Sequence, residues 1–300
     1  MCIRDSFRDA PRRVRVDLET GTATGWGHDR IVNRVWGVVG SRYDDPLVGT
    51  SLRDRLIGGG GSDRLLGAEA GDELEGGAGG DVLIGSEGGD RLSGGPGSDA
   101  VVGGRGSDLL TGGLDGDRLW GGPGDDFPAD QVGQNRMWGG SGDDEVFAGP
   151  RTRVWSGPGD DRLYLQLEAS PTQLTDCGPG HDWTFLELRV SGSTNVSSDL
   201  AAGTFAFTAE GVVLPLRGVE EIRVIGVGSW HVVGTDGPDV VGTNMRLYAA
   251  MGGGDDWAFG SEFDDTIDGG PGADTAVPGG GIDTCISVES IPESDCETIQ

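Results

Sequence analysis

The chain has 300 residues, among them 59 glycines, 50 acidic residues and 22 basic residues, and its formal net charge is -28. Hydrophobic residues make up only 35% of it, which excludes a conventional thick core and leaves either disorder or a thin, repetitive way of burying apolar side chains. The negative charge argues against nucleic acid and anionic membrane surfaces as partners and favours cations. No apolar run is long enough to span a membrane, and the glycines lack the spacing of collagen.

The N-terminal segment is interpreted before any fold reasoning. The first six residues read MCIRDS, which is what a transposon mosaic end used in sequencing-library preparation encodes. We therefore expect residues 1–6 to be a sequencing or cloning scar and the natural N-terminus to be missing. Residues 7–43 follow as a β lead-in without calcium sites.

A nine-residue repeat begins near residue 44. Aspartates recur at every ninth position, and a branched aliphatic residue stands two positions after each of the first nine. Chance does not produce such a register. The aspartates are Asp45, Asp54, Asp63, Asp72, Asp81, Asp90, Asp99, Asp108, Asp117 and Asp126, and the aliphatic residues are Leu47, Leu56, Leu65, Leu74, Leu83, Leu92, Val101, Leu110 and Leu119.

Each unit combines a glycine-rich turn ending in aspartate with three extended residues, of which the middle one points inward. Glycine permits the positive φ that such a turn requires. Two units make one coil, and successive coils stack as parallel strands about 4.8 Å apart. Stacking brings the aspartates of neighbouring coils together, and this repulsion requires a cation. Calcium fits because it takes about six to eight oxygen ligands in flexible geometry, whereas the turns lack the nitrogen and sulfur ligands that zinc, copper or iron would use.

Units such as GGPGSDAVV at 94–102 and GGRGSDLLT at 103–111 resemble the nonapeptide of the RTX (repeats-in-toxin), or hemolysin-type, calcium-binding family. The resemblance implies an all-β fold, a parallel β-roll (β-solenoid) that folds on Ca²⁺ and binds several ions. It also implies that the aspartates ligate calcium and that the first glycine of each turn donates a carbonyl oxygen. The predicted aspartate ligands are Asp54, Asp63, Asp72, Asp81, Asp90, Asp99, Asp108, Asp117, Asp126, Asp144, Asp256, Asp265 and Asp274. The predicted glycine ligands are Gly58, Gly76, Gly94, Gly103, Gly112 and Gly121.

The first array departs from the pattern at three places. Asp72 and Asp90 follow the eroded turns GAEAGD and GSEGGD. Pro128 occupies an inward position, which suggests a bulge or a sheet edge because proline cannot donate to a strand ladder. The register nevertheless continues to Asp144. We therefore place the first calcium-binding β-roll at residues 44–162.

The C-terminal half contains a region without repeats and then a second array. Residues 163–235 show a period-two alternation, as at Leu186 and Leu188, which indicates strands. We interpret them as a β-rich insert or second lead-in, built either as a solenoid with longer coils or as a small β-sandwich. In residues 236–300 the aspartates again recur every nine residues, which predicts a second short β-roll with a C-terminal cap.

Two cysteines lie close together in that cap. A disulfide between Cys285 and Cys296 would stabilise the end of the chain by about 2 to 4 kcal/mol and would require an oxidising compartment. The alternative is a pair of unpaired thiols. We favour the bridge because no histidine lies nearby to complete a zinc site and because so acidic a chain is typical of the extracellular space. Cys177 has no evident partner.

No motif for catalysis is present: the sequence lacks H-E-x-x-H, G-x-S-x-G and a phosphate-binding P-loop. We therefore expect a secreted or cell-surface calcium-binding structural module that is not an enzyme. The alternative is the C-terminal accessory or secretion region of a larger extracellular enzyme, such as a protease or lipase, or of an adhesin. Trp120, Trp138 and Trp155 flank turns and are interpreted as surface or interface packing, with carbohydrate stacking as the alternative. The sequence identifies no particular protein or carbohydrate partner.

Overall fold

The structure is a computed structural model that describes residues 3–25, 28–30, 35–167, 175–188, 194–199, 204–207, 212–217, 221–226, 228–290 and 296–299. Within these ranges it consists of strands and turns without a helix, and its repeat arrays are stacks of parallel strands. The predicted all-β parallel β-roll is therefore confirmed. The chain divides into two compact units, Met1–Pro158 and Gly159–Gln300.

The strands of the first unit are β1 (Ile3–Ser6), β2 (Arg15–Asp17), β3 (Thr22–Thr24), β4 (His28–Arg30), β5 (Val35–Val39), β6 (Pro46–Val48), β7 (Arg55–Gly60), β8 (Arg64–Ala68), β9 (Glu73–Ala78), β10 (Val82–Glu87), β11 (Arg91–Pro96), β12 (Ala100–Arg105), β13 (Leu109–Leu114), β14 (Arg118–Pro123), β15 (Phe127–Asp130), β16 (Arg136–Ser141), β17 (Glu145–Ala148) and β18 (Arg153–Trp155).

The strands of the second unit are β19 (Arg162–Leu167), β20 (Thr175–Asp176), β21 (Trp183–Leu188), β22 (Thr194–Asp199), β23 (Thr204–Phe207), β24 (Val212–Arg217), β25 (Glu221–Ile225), β26 (Gly228–Val233), β27 (Val240–Thr243), β28 (Arg246–Ala250), β29 (Trp257–Ser261), β30 (Thr266–Asp268), β31 (Thr275–Gly279), β32 (Asp283–Ile286) and β33 (Cys296–Ile299).

The first unit is built from two parallel sheets whose strands alternate along the chain. One sheet has the order β1, β5, β7, β9, β11, β13, β15, β17, and the other runs from β2 through β6, β8, β10, β12, β14 and β16 to β18. From β5 to β17, strands of one sheet pair at a spacing of eighteen residues, as Leu92 does with Leu74 and Leu110, whereas β16 pairs with β18 at a spacing of seventeen. At the N-terminal end, β2, β3 and β4 form an antiparallel ribbon. Residues 1 and 2 of the expected scar lie outside the described ranges.

The core of the first unit is a column of single aliphatic side chains. The predicted inward residues from Leu47 to Leu119 are all at most 1% exposed. A strand places alternate side chains on opposite faces, so the middle residue of each three-residue segment meets its counterparts from the adjacent coils. Pro128 keeps this inward position, but β15 pairs with β13 only through Leu109 with Phe127 and Leu110 with Pro128. The proline shortens the ladder there without breaking the stack.

The outer face carries a stack of tryptophans. Trp120 and Trp138 lie 4.8 Å apart between ring centroids, Trp138 and Trp155 lie 4.9 Å apart, and both pairs are nearly parallel. The three rings are half-buried and cover one another's faces. A sugar that stacks on an aromatic residue needs an open ring face, so this arrangement favours packing between coils over the carbohydrate alternative.

The second unit also contains a parallel stack, formed by β19, β21, β25, β27, β29 and β31. The described parts of residues 163–235 therefore form a solenoid with longer coils. The extra length is used by β22, β23 and β24, which pair in antiparallel fashion. Leu186 is buried, as its alternation predicts.

The C-terminal strand is covalently attached to the roll. β33 pairs in parallel with β32, and a disulfide joins Cys285 to Cys296 with their Cα atoms 5.9 Å apart. Cys285 occupies the inward position and is 1% exposed. Cys177 is buried, with its sulfur 3.8 Å from the Thr184 hydroxyl. In the described residues, the chain has no helix that is long and apolar enough to cross a bilayer.

The single-residue core leads to a stability prediction. We expect Leu92→Ala to lower the free energy of unfolding by about 2 to 5 kcal/mol. The shortened side chain leaves a cavity, and the neighbouring coils cannot move inward to fill it. Leu114, which is 53% exposed, is the matched control, and Leu114→Ala should change stability by less than about 0.5 kcal/mol. Urea unfolding measures both. Equal effects of the two substitutions would contradict the inward register.

Candidate metal centre

The aspartate turns at the edges of the two sheets have one repeated backbone conformation. In the turn from Gly94 to Asp99, Gly95 has φ of 113° and Gly97 has φ of 132°. Both values lie in the left-handed region that glycine adopts at little cost. A Cβ at Gly95 would also meet the carbonyl oxygen of Gly77 in the preceding coil. Positive φ and close backbone contact together explain why the repeat uses glycine at these positions.

The aspartates of each edge form a hydrogen-bonded ladder. The N–H of Asp81 donates to Oδ1 of Asp99 over 2.7 Å, and the N–H of Asp99 donates to Oδ1 of Asp117 over 2.8 Å. One ladder of the first array (residues 40–149) joins Asp45, Asp63, Asp81, Asp99, Asp117 and Asn135, and the other joins Asp54, Asp72, Asp90, Asp108, Asp126 and Asp144. These side chains are buried, and each ladder holds in place one side-chain oxygen of every residue after its first.

The second carboxylate oxygen lies in a cradle of main-chain atoms. Oδ2 of Asp99 is buried and accepts no hydrogen bond. A Cβ at Gly94 would fall against this oxygen and against the carbonyl oxygen of Gly112 in the next coil. Strand pairing also skips this place, since Ser93 pairs with Thr111 and Gly95 with Gly113. The first glycine therefore keeps open a space in which a carboxylate oxygen and a carbonyl oxygen converge.

The same cradle recurs along both edges of the first array, at the aspartates Asp63, Asp72, Asp81, Asp90, Asp99, Asp108, Asp117 and Asp126, whose Oδ2 atoms are all buried without a hydrogen bond. The glycines Gly58, Gly76, Gly94, Gly103, Gly112 and Gly121 face the Oδ2 atoms of their own turns. Oδ2 of Asp144 lies against Gly139. In the second array (residues 234–287), Oδ2 of Asp256 and of Asp274 is likewise buried and unbonded.

The eroded turns keep the geometry of the glycine turns. Ala68 and Ala70, in the turn before Asp72, have φ of 101° and 68°, and Ser86, before Asp90, has φ of 95°. These residues adopt a conformation that side chains other than glycine rarely take. The structure thus places Asp72 and Asp90 in the same cradle as the others.

Two of the predicted ligands differ from the rest. Oδ2 of Asp54 accepts hydrogen bonds from the N–H and the hydroxyl of Thr50, and Oδ2 of Asp265 accepts the N–H of Ser261. Their second carboxylate oxygens are therefore already satisfied by the protein. This distinction is not visible in the repeat register.

Asp130 is a functional candidate that sequence reasoning missed. It stands nine residues after Gly121, in the place of a first glycine, and its Oδ2 lies with Oδ2 of Asp117 against Gly112. Oδ2 of Asp130 accepts the N–H of Gly113 over 3.0 Å. This cradle therefore contains two carboxylates. The nine-residue step from Gly121 was the signal that could have identified it.

Burial raises the pKa of several cradle aspartates. Burial raises the pKa of Asp63 to about 7, although the N–H of Asp45 lowers it, and the charges of Asp81 and Asp45 raise it further. Burial raises the pKa to about 7 at Asp72, Asp99, Asp117 and Asp126, and to about 6 at Asp90 and Asp256. Without a cation the folded chain therefore favours protonation of these carboxyls.

The donor set fits a hard, oxygen-seeking cation. In the described part of the chain no three acidic, histidine or cysteine side chains converge, so the carboxylate of a cradle acts together with main-chain carbonyls. Described arginines form ion pairs elsewhere, as Arg55 does with Glu73 at 3.4 Å. Oxygen donors with adaptable turns suit Ca²⁺ better than Mg²⁺, which demands a compact octahedron.

The comparisons with known proteins agree with this geometry. The family model described as RTX calcium-binding nonapeptide repeat (4 copies) matches residues 39–74, 66–101, 75–110, 93–128, 132–150 and 252–285. These segments contain the cradle aspartates of both arrays. No curated protein matches the chain.

The raised pKa values predict that acid stabilises the metal-free chain. The ordinary pKa of aspartate is near 3.8, whereas in the folded chain the pKa is about 6 or 7 at seven cradle aspartates: Asp63, Asp72, Asp90, Asp99, Asp117, Asp126 and Asp256. The folded state therefore binds more protons between these values, and the free energy of unfolding falls as the pH rises through this window. In metal-free buffer the β signal in far-ultraviolet circular dichroism should therefore be greater at about pH 5 than at about pH 8. A calcium-saturated sample is the control, and greater metal-free stability at the higher pH would contradict the prediction.

Proposed function

Because the chain carries the RTX calcium-binding nonapeptide repeat in both arrays, we propose that it is a secreted calcium-binding structural module whose β-roll folds when Ca²⁺ binds. The observation that carries this proposal is the row of buried Oδ2 atoms without hydrogen bonds. A buried charged oxygen without a partner is strongly unfavourable. Its regular recurrence beside a glycine carbonyl is the arrangement that a bound cation stabilises.

Different residues of the chain orient the carboxylate ligands and supply the carbonyl ligands. The ladder N–H groups fix Oδ1 and thereby aim Oδ2 into the cradle, as in the pair Asp81 and Asp99. The first glycines bring a carbonyl oxygen of the next coil to the same space. The proposed calcium ligands are the cradle aspartates Asp63, Asp72, Asp81, Asp90, Asp99, Asp108, Asp117, Asp126, Asp144, Asp256 and Asp274, with the glycine carbonyls predicted above and Asp130 added. Bound Ca²⁺ would supply the positive charge that lets neighbouring carboxylates remain ionised.

Two features support a location outside the cell. Extracellular calcium modules bind with dissociation constants of about 10⁻⁴ to 10⁻³ M, so sites of that kind are empty in the cytosol and filled outside. The Cys285–Cys296 disulfide is the type of bond that persists in an oxidising compartment. We infer that the chain is exported before the roll forms and that the roll then provides a rigid extracellular element.

Metal removal tests the proposed function. We expect the far-ultraviolet circular dichroism of the chelated protein to lose its β signal at neutral pH and to regain it on calcium addition. Magnesium at the same concentration is the control and should restore much less, because it does not accept this adaptable ligand set. A spectrum that is unchanged by chelator would contradict folding on calcium, and equal recovery with magnesium would contradict the selectivity.

Asp130 offers a second test. We expect Asp130→Asn to weaken the tightest calcium-binding step by about tenfold, because affinity follows the number of ligand charges. Asp130→Gly restores the repeat glycine and should give a similar loss. Isothermal titration calorimetry measures the step, with the exposed Asp125→Asn as the control. Unchanged affinity in both Asp130 variants would exclude the two-carboxylate site.

A further inference from the structure

The two arrays contain a second kind of aspartate turn. In the glycine turns the second residue has positive φ and Oδ2 of the aspartate is unbonded, as at Gly95 and Asp99. In the second kind the second residue is serine or threonine and is not among the positive-φ residues. Its hydroxyl and its N–H face the carboxylate of its own turn. We name this second kind the hydroxyl turn.

Thr50 shows the contacts most clearly. Its N–H donates to Oδ2 of Asp54 over 2.5 Å, and its hydroxyl donates to the same oxygen over 2.8 Å. The hydroxyl also accepts the N–H of Leu52 over 3.1 Å. The threonine therefore supplies two donors to the oxygen that is left unbonded in a glycine turn.

A network of this kind occurs four times, with one difference: the Ser41 hydroxyl donates to Oδ1 rather than Oδ2 of Asp45. Its four turns pair Ser41 with Asp45, Thr50 with Asp54, Thr235 with Asp239 and Ser261 with Asp265. In each turn the hydroxyl accepts the N–H of the residue two positions later, at 3.0 to 3.2 Å. Four independent occurrences in one chain make the network a repeated structural device.

The hydroxyl turns occupy equivalent places in the arrays. Each contains the first aspartate on one edge of an array, and the main chain of that aspartate starts the ladder. The N–H groups of Asp45 and Asp54 donate to Asp63 and Asp72 over 2.7 Å. In the second array, Asp239 and Asp265 donate to Asp256 and Asp283 over 2.8 Å.

We infer that Ser41, Thr50, Thr235 and Ser261 determine where calcium binding begins, because they make the first aspartate turn of each edge independent of the ion. This inference rests on the proposed function and gives the reason why its ligand set does not include Asp54 and Asp265, whose Oδ2 atoms accept protein donors. The hydroxyl turn is satisfied by protein donors and presents a fixed N–H, which positions Oδ1 of the next aspartate. At Asp63, Asp72 and Asp256 that next aspartate has an unbonded Oδ2 and is the first to need Ca²⁺.

Ser86 shows that serine alone does not produce a hydroxyl turn. It stands at the same turn position, but its φ is 95° and Oδ2 of Asp90 is unbonded. Its turn has Gly88, with φ of 121°, at the fourth position, where the turn of Thr50 has Leu52. In the first array a positive φ at the fourth position accompanies the unbonded Oδ2, as at Ala70, Gly88 and Asp115. The fourth residues of the hydroxyl turns, Gly237 included, do not have positive φ.

Calcium stoichiometry measured by equilibrium dialysis and metal analysis tests the inference. Asp54→Asn and Asp72→Asn change adjacent aspartates of one ladder. We expect Asp54→Asn to bind as many ions as the unmodified chain and Asp72→Asn to lose at least one. The double variant Thr50→Gly with Leu52→Gly rebuilds the turn as GGSGRD and should gain one ion. Ser86→Gly is its control and should leave the number unchanged.

The outcomes separate the inference from the proposed function. If the unmodified chain binds no calcium, both are overturned. If it binds calcium and Asp54→Asn loses as many ions as Asp72→Asn, the inference is overturned and the function stands. If Asp54→Asn does not fold, the Thr50→Gly/Leu52→Gly variant decides, because a failure to gain an ion would overturn the inference.

Discussion

The structure depends on the hydrogen bond between the N–H of one aspartate and Oδ1 of the aspartate in the next coil on the same edge. This bond aligns the coils and at the same time brings like charges together. Two carboxylates about 5 Å apart repel by roughly 3 kcal/mol at an effective dielectric constant near 20. A hydrogen bond to a charged acceptor contributes about 1.5 to 3 kcal/mol. The repulsion and the hydrogen bond are of similar size, so the ladder alone does not stabilise the stack of coils. The stack forms when a cation or a proton neutralises the carboxylates.

The thin core makes this balance decisive. Each nine-residue unit buries one aliphatic side chain, and the glycines that fill the turns contribute no apolar surface of their own. Glycine also has the largest backbone entropy to lose on folding. A thick core could offset some repulsion between the carboxylates at the edges. A single column such as Leu74, Leu92 and Leu110 buries too little apolar surface to do so. The charge state of the aspartate turns at the sheet edges therefore determines whether the aliphatic column is stably packed.

The pairing register of the coils could be predicted from the sequence because it follows from the nine-residue repeat. Nine residues between aspartates and an aliphatic residue two positions later were sufficient to predict coils of two units, the inward column and the edge position of each carboxylate. The pairing of β22, β23 and β24 was not predictable, since alternation indicates a strand without specifying its partner. The turns of Thr50 and Ser86 were also not distinguished, because the difference between them lies in the backbone φ of the second turn residue. Asp130 was overlooked because its turn has lost most of its glycines.

The stacked tryptophans on the first unit have an optical consequence. Indole rings held face to face at 4.8 and 4.9 Å couple their electronic transitions, and the coupled bands acquire a strong signed dichroism that isolated indoles lack. Trp120, Trp138 and Trp155 belong to three consecutive coils. Their circular dichroism therefore reports whether those coils are in register, so the chain contains its own label-free probe of assembly in real time.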